Sequence, residues 1–343
     1  KQKNFFIKLL QTSVLYAIMG ANFVYREKNM KERGIIILNK EFNENWLPLL
    51  REGGYNKLGL HSLYPYGGME WHMNWLLKKQ TRELIDKFEN AGIAVEQELH
   101  SVDWLLPRSL FSCFPQWFRM NENGERVGDW NFCVSNEEAL EYVELSAYKY
   151  ALLLRQTSHN YFLWSDDKRD MLCHCEKCRH LNGADQNMRI MKSILRGLKR
   201  YDPQAKLSFL AYDDSLALPT EKPDKDMFLE FAPIRRNHLV PIDGDDESNR
   251  ANKEMLLRLL KIFPAESARV LEYFLDVSLF CDWDRNKAAA LPFDESRVRR
   301  DLEFYRSAGI ERTTTFAVFM DDEWRREHGT ADLMRCGRAM QEI

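Results

Sequence analysis

No apolar run in this chain approaches the ~18 residues that a membrane span requires, and no block of like charge is long enough to serve as a nucleic-acid arm. Those absences leave no helical membrane span within this sequence and give no support to polyanion binding. The turn after the first strand candidate, NKEFNEN following Leu38, contains no glycine, which argues against the phosphate-binding first turn of a doubly wound nucleotide fold. Cysteine is sparse and odd in number, seven in 343 residues, so the chain is not a disulfide scaffold. No thioredoxin-like pattern surrounds its cysteines, which disfavours redox chemistry.

What remains is an ordinary globular composition, 45% hydrophobic and 29% charged with a net charge of -3. It carries more tryptophan than a core needs, nine residues; most would pack under loops, but Trp is also a frequent stacking platform for sugars. The first residue is Lys rather than Met, which fits removal of a signal peptide or a leading domain. The expectation is a soluble protein, cytoplasmic or exported with its signal removed, and nothing in the sequence sets its oligomeric state.

From Gly34 onward a strand-then-helix rhythm sets in. Strand candidates are Gly34–Leu38, Lys57–Leu63, Ala94–His100, Tyr161–Ser165, Leu207–Tyr212, Met227–Ala232, Arg269–Phe274 and Thr314–Met320. Helical periodicity lies between them at Asn43–Arg51, Met73–Ala91, Glu137–Gln156, Gln186–Tyr201, Ser248–Phe263 and Glu295–Ala308, and again from Ala331 onward. Only a proline-containing connection, Leu216 to Pro223, follows the fifth strand. Eight strands alternating with helices over ~250–300 residues predict an α/β fold, a (β/α)8 TIM barrel. The expected organisation is a helical N-terminal extension over residues 1–30 and a barrel over 31–343. Two connections, Ser101–Ser135 after strand three and Asp166–Asp185 after strand four, are far longer than usual. Both fall on the face where barrel enzymes build their sites.

The chain is organised around YFLWSDDKRDMLCHCEKC, Tyr161–Cys178. A short apolar strand ends in adjacent carboxylates, Asp166 and Asp167, and opens into a loop with Cys173, Cys175 and Cys178. Other polar residues also gather at strand ends. They include His61 on strand two, His100 on three, Tyr212 on five, Arg236 and His238 after six, and Glu272 and Tyr273 on seven. A mouth lined by acids and aromatics suits glycoside hydrolysis, which needs a carboxyl proton donor and a second carboxylate or a substrate amide to stabilise an oxocarbenium-like transition state. Glu272 sits within an apolar strand, VLEYF, where a charge needs either a cationic partner or a catalytic role. Glu272 and Asp167 are therefore the expected carboxyl pair, with Asp166 as substitute. His61, His100, Trp104, Trp164, Tyr212, Arg236, His238 and Tyr273 are the expected substrate-binding residues. The bland readings are that Asp166 and Asp167 cap a loop and that the histidines are satisfied core residues. Asp321 and Asp322 are read as solvated or paired with Arg325 and Arg326. The rival to an enzyme is a carbohydrate-binding barrel that keeps the pocket without catalysis.

Cys-x-Cys-x-x-Cys offers three ligands, and tetrahedral zinc needs a fourth. Cys133, at the end of the preceding long loop, is the best candidate, with His174 and His180 as alternatives. Such a closed site would be a structural zinc. Disulfides or free thiols are the other readings, and catalysis itself calls for no cofactor.

The run FPQWFRMNENGERVGDWNFCVSNEEALEYV (Phe114–Val143), followed by a strand ending in Asp and by CHCEKC, resembles a bacterial domain family known only as a domain of unknown function. That family is placed among TIM-barrel glycoside hydrolases, near the α-glucuronidases and β-hexosaminidases. Its pattern is matched here at Pro115, Phe118, Gly124, Arg126, Cys133, Ser135, Asn136, Asp167 and the three loop cysteines; Glu272–Phe274 is similar to its seventh strand. The resemblance covers residues 31–335. It implies a carbohydrate substrate, an N-acetylhexosamine- or uronic-acid-containing glycan, since some relatives are endo-acting β-N-acetylglucosaminidases. It also implies that the α/β domain usually preceding such barrels is missing or reduced to the first 30 residues.

Overall fold

A computed structural model of the protein describes residues 30–62, 68–154, 156 and 158–343. The helix expected over residues 1–30 lies outside them but for Met30, as does Leu63 at the end of the second expected strand. Eight parallel strands close into a barrel in chain order. They are β1 Glu32–Leu38, β2 Lys57–His61, β3 Ala94–His100, β4 Asn160–Trp164, β5 Lys206–Ala211, β6 Met227–Phe231, β7 Arg269–Glu272 and β8 Arg312–Phe316.

The helices wrap outside. They are α1 Trp46–Gly53, α2 Gly68–Leu76, α3 Lys79–Asn90, the short α4 Val102–Leu105, α5 Glu137–Leu154, α6 Gly183–Tyr201, α7 Glu247–Leu259, α8 Glu295–Ser307, α9 Asp322–His328 and α10 Ala331–Glu342. Side-chain caps start several of them: Asn182, Asp246, Asp294 and Asp321 accept from backbone N–H groups of the first turns of α6, α7, α8 and α9. None of the described helices is long and apolar enough to cross a membrane.

Two local readings need correction. The helix expected over Met73–Ala91 is two, because Lys78 is extended (φ -68°, ψ 136°) between α2 and α3. The eighth strand runs Arg312–Phe316 rather than Thr314–Met320. Phe319 adopts φ 68° and Asp321 caps a helix, α9, that the sequence reading did not place. The connection between β5 and β6 is as expected: it contains no α-helix, only a 3-10 turn at Asp213–Ser215.

Alternate residues of each strand point to opposite faces, and the two faces differ in chemistry. Outward residues pack against the helices in two large apolar clusters. The interior is split along the barrel axis. Toward the C-terminal mouth Ile36, Phe162, Trp164, Leu210, Phe228, Ala232, Leu271 and Tyr273 pack together. Beneath them lies a charged layer. Arg269 reaches Glu32 (3.0 Å), Glu96 (2.5 Å), Glu98 (3.2 Å) and Glu230 (3.6 Å), and its guanidinium lies 4.3 Å from the Phe162 ring centre. Lys57 closes on Glu96 at 2.6 Å. Gly59 makes room for this layer: a Cβ there would meet Glu98 Oε1 at 2.7 Å.

Candidate active site

The mouth of the barrel holds a pocket of about 430 Å³, counting space open to solvent. Its floor follows from strand phase. His61, His100, Trp164, Leu271 and Phe316 are inward-facing residues at the strand ends, and Tyr212 and Tyr273 extend the same series by one position beyond β5 and β7. The rings lock one another: His61 and His100 meet edge to face at 5.6 Å, and Trp164 stands 5.9 Å from His61 and 5.3 Å from His100. The indole N–H of Trp164 is held from below by Ser208 Oγ (2.9 Å) and Glu230 Oε2 (3.2 Å).

Nδ1 of His61 donates to Glu98 O and Nδ1 of His100 to Ser165 O, each at 2.6 Å. Burial, followed by the neighbouring His100, lowers His61 to about 4, so it lines the pocket as a neutral ring.

Two carboxyls line the pocket, Asp167 and Asp276. Asp167 is partly exposed, with 36% of its side chain accessible. It accepts from the Tyr212 hydroxyl (2.9 Å) and lies 4.0 Å from His100 Nε2. Asp276 is 1% exposed and accepts from both Ser278 N (3.0 Å) and Ser278 Oγ (2.6 Å). Burial pushes its carboxyl up to about 7. Sequence reasoning missed Asp276, which lies four residues beyond β7 and reads as a loop residue. It also missed Trp283 at the rim, 54% exposed, with left-handed backbone there (φ 60°) and at Asp282 (φ 52°).

Five of the eight expected substrate-binding residues line this pocket: His61, His100, Trp164, Tyr212 and Tyr273. The other three lie elsewhere. Trp104 packs edge to face on Tyr150 at 5.8 Å in the helical layer. His238 donates to Ile234 O and stands behind Tyr273, ring centres 5.3 Å apart. Arg236 is buried between Glu272 (3.2 Å) and Asp301 (2.6 Å).

That ion pair corrects the expected carboxyl pair. Glu272 lies between the inward-facing Leu271 and Tyr273, so it points outward, fully buried against α8, and accepts from the Tyr305 hydroxyl and Arg236. A carboxylate so enclosed does not face the mouth. Asp166 is likewise held, by Arg108, by the backbone N–H of Asn131 and by Asp103 N at 3.2 Å. It ties the loop after β4 to the loop after β3. Asp321 pairs with Arg285 (2.8 Å) while capping α9, and Asp322 pairs with Arg325.

The two long loops also meet at sulfur. Cys133, Cys173, Cys175 and Cys178 are buried with their sulfurs within 4.8 Å of one another, and none forms a disulfide. Cys133 Sγ lies 3.6 Å from Cys175 and 4.0 Å from Cys178. Four thiolates bound at ~2.3 Å around one tetrahedral centre stand about 3.8 Å apart, so the donor set fits zinc. His174 and His180 are outside the cluster; His174 lies 4.0 Å from Glu122. Met120 N donates to Cys173 Sγ (3.4 Å), and His174 N to Met120 O (2.8 Å).

A closed barrel of eight parallel strands alternating with helices defines the class, a (β/α)8 TIM barrel. Within that class the chain belongs to the family described as domain of unknown function (DUF4838), whose model matches residues 18–278. No curated protein matches it in sequence. Among solved structures it is similar to Gan42B, a GH42 β-galactosidase from G. stearothermophilus, with TM-score 0.55, 11% identity, and coverage of 92% of this chain and 57% of that one. It is also similar to a chitinase from Rhizomucor miehei (TM-score 0.51, 8% identity, 91% and 99% covered) and a β-galactosidase from Marinomonas ef1 (0.51, 11%, 90% and 59%). At these identities the likeness is one of fold. The chain spans little more than half the length of the β-galactosidases it matches.

Proposed function

We propose that the protein hydrolyses a glycosidic bond in the barrel mouth, with Asp276 and Asp167 as the working carboxyls. The observation that carries this reading is the placement of two carboxyls in unlike environments around one aromatic pocket. Asp276, pushed up to about 7 by burial, retains a proton near neutrality and suits the donor to the glycosidic oxygen. Asp167, accessible and fixed by Tyr212, suits the carboxylate that stabilises the oxocarbenium-like centre or activates water. Trp164, Tyr273 and Trp283 offer ring faces to the sugar. No Arg or Lys is among the described residues lining the pocket, which favours a neutral sugar such as an N-acetylhexosamine over a uronic acid.

The four cysteines would hold a structural zinc. Four thiolates leave no open position for a water, so the metal would order the two loops and take no part in hydrolysis.

The test is a screen of aryl-glycosides and oligosaccharides with wild type, Asp167→Asn and Asp276→Asn. Each substitution should lower turnover by roughly 10²–10⁴-fold, and Asp276→Asn should also remove the alkaline limb near pH 7. Turnover indifferent to both substitutions sinks the assignment. Because Asp276 already commits one oxygen to Ser278, a barrel that binds carbohydrate without cleaving it is the second reading. Its signature is saturable binding without turnover in wild type.

A further inference from the structure

The mouth pocket has a neighbour. A crevice of about 480 Å³, counting space open to solvent, lies between the loop after β4, the Asp213–Ser215 turn and the start of α6. It shares Tyr212 with the mouth. The Tyr212–Asp167 hydrogen bond forms the partition, with Asp167 on the mouth side and Asp166 on the crevice side. Gly183 lets α6 approach closely, since a Cβ there would meet Asp214 O at 2.0 Å.

The polar groups of this crevice are not all used by the fold. Asn187 is 4% exposed, yet its Oδ1 has no hydrogen-bond partner among the described residues. An unpaired buried amide costs about 1–3 kcal/mol, a cost that a ligand hydroxyl would relieve. At the rim, the exposed Lys168 forms no ion pair among the described residues. The carboxylates, by contrast, are engaged: Asp166 by Arg108, Asp213 by Arg235 and Asp214 by Asp170 N. Phe132, Met171, Leu172 and Ile190 supply an apolar wall. An unpaired amide, a free ammonium and an apolar wall suit a neutral, hydroxyl-rich ring. An anion would meet Asp214.

We infer that the crevice is a second sugar subsite, holding the glycan unit next to the one in the mouth, with Asn187 and Lys168 hydrogen-bonding its hydroxyls. This rests on the mouth being a sugar site. The cysteine loop then shapes specificity, because Met171 and Leu172 immediately precede Cys173, and Gln186 holds Cys173 N (2.9 Å) and Cys173 O (3.1 Å) while lining the crevice.

The experiment is a methyl-NMR titration of the full chain with N-acetylglucosamine and galactose and with their di- and trisaccharides. Ile234 reports the mouth, and Met171 and Ile190 report the crevice. Monosaccharides should move Ile234 alone, whereas the longer sugars should move all three. Asn187→Leu and Lys168→Ala should each weaken trisaccharide binding about tenfold and leave monosaccharide affinity unchanged. Trisaccharide that moves Ile234 but leaves Met171 and Ile190 still overturns the second subsite while sparing the mouth reading. Silence at Ile234 for every sugar overturns the mouth reading, and the subsite with it.

Discussion

Glu272→Gln separates a catalytic carboxylate from a structural one. The substitution keeps the size of the side chain and an acceptor for the Tyr305 hydroxyl, but removes one of two negative charges facing Arg236. Breaking a buried pair outright costs roughly 3–5 kcal/mol. Here Asp301 remains at 2.6 Å from the guanidinium, so the loss should sit near the lower bound, about 3 kcal/mol. For a chain of 343 residues, an unfolding entropy of ~2.1 cal/mol/K per residue converts that into a fall of ~4 °C in midpoint. The assay pairs thermal and urea unfolding with turnover on whichever glycoside the screen finds. The expected outcome is a lowered midpoint with turnover within a few-fold of wild type at a temperature where both are folded. An unchanged midpoint, within about 1 °C, together with a hundredfold loss of turnover would refute the reasoning and return Glu272 to the catalytic pair.

Other substitutions probe the remaining parts. His72 is fully buried between Asn39 and Gln97, and burial lowers it to about 3. Its contribution is therefore full above the unfolded value of 6.5 and is lost as pH falls from 6.5 toward 3. His72→Gln should remove that part of the acid limb, and unfolding free energies with the same slope between pH 7 and 4 in both proteins would contradict it. Burial raises Glu41, Glu230 and Asp276 to about 7 each, so their contribution runs oppositely: it is present below 4.5 for the two glutamates and below 3.8 for Asp276, and is lost as pH rises to 7. Trp283→Ala should raise KM by up to about tenfold with little change in kcat or stability; an unaltered KM removes Trp283 from the sugar site. Cys175→Ser, or chelation, should lower the unfolding midpoint and open both long loops to protease before it alters the chemical step. Metal analysis should find one zinc per chain, and zero metal with paired sulfurs at ~2.05 Å would sink the site.

The barrel was legible because its signals are local: eight short apolar runs, helical periodicity between them, and no glycine where a nucleotide fold needs one. The convergence of Cys133 on Cys173, Cys175 and Cys178 was legible from spacing plus position at the end of a long loop. Glu272 was misread for a physical reason. In VLEYF both strand faces are apolar, one toward the mouth and one toward α8, so composition carries no phase. Only pairing with the neighbouring strands fixes which residues look inward. Arg236 failed with it, since a cation just past a strand reads as a mouth residue until Asp301, 65 positions on, is folded against it. Asp276 and Trp283 were invisible because they belong to the irregular chain after β7, where no periodicity assigns a face.

The charged layer under the mouth has a chemical consequence for the site above it. Four carboxyls, Glu32, Glu96, Glu98 and Glu230, share Arg269 and Lys57 inside a closed barrel, and Glu32 also pairs with Arg312 at 3.2 Å. Burial, more than any other cause, pushes Glu98 and Glu230 upward. Leucine and methionine in these places would avoid the desolvation cost and pack at least as stably. They would also remove the acceptor on which the Trp164 indole closes, leaving only Ser208 to orient it. Trp164 touches both mouth histidines, and His61 is itself hydrogen-bonded to the Glu98 carbonyl. The floor of the pocket is thus set from beneath by groups that never meet solvent, and its geometry depends on keeping that layer polar.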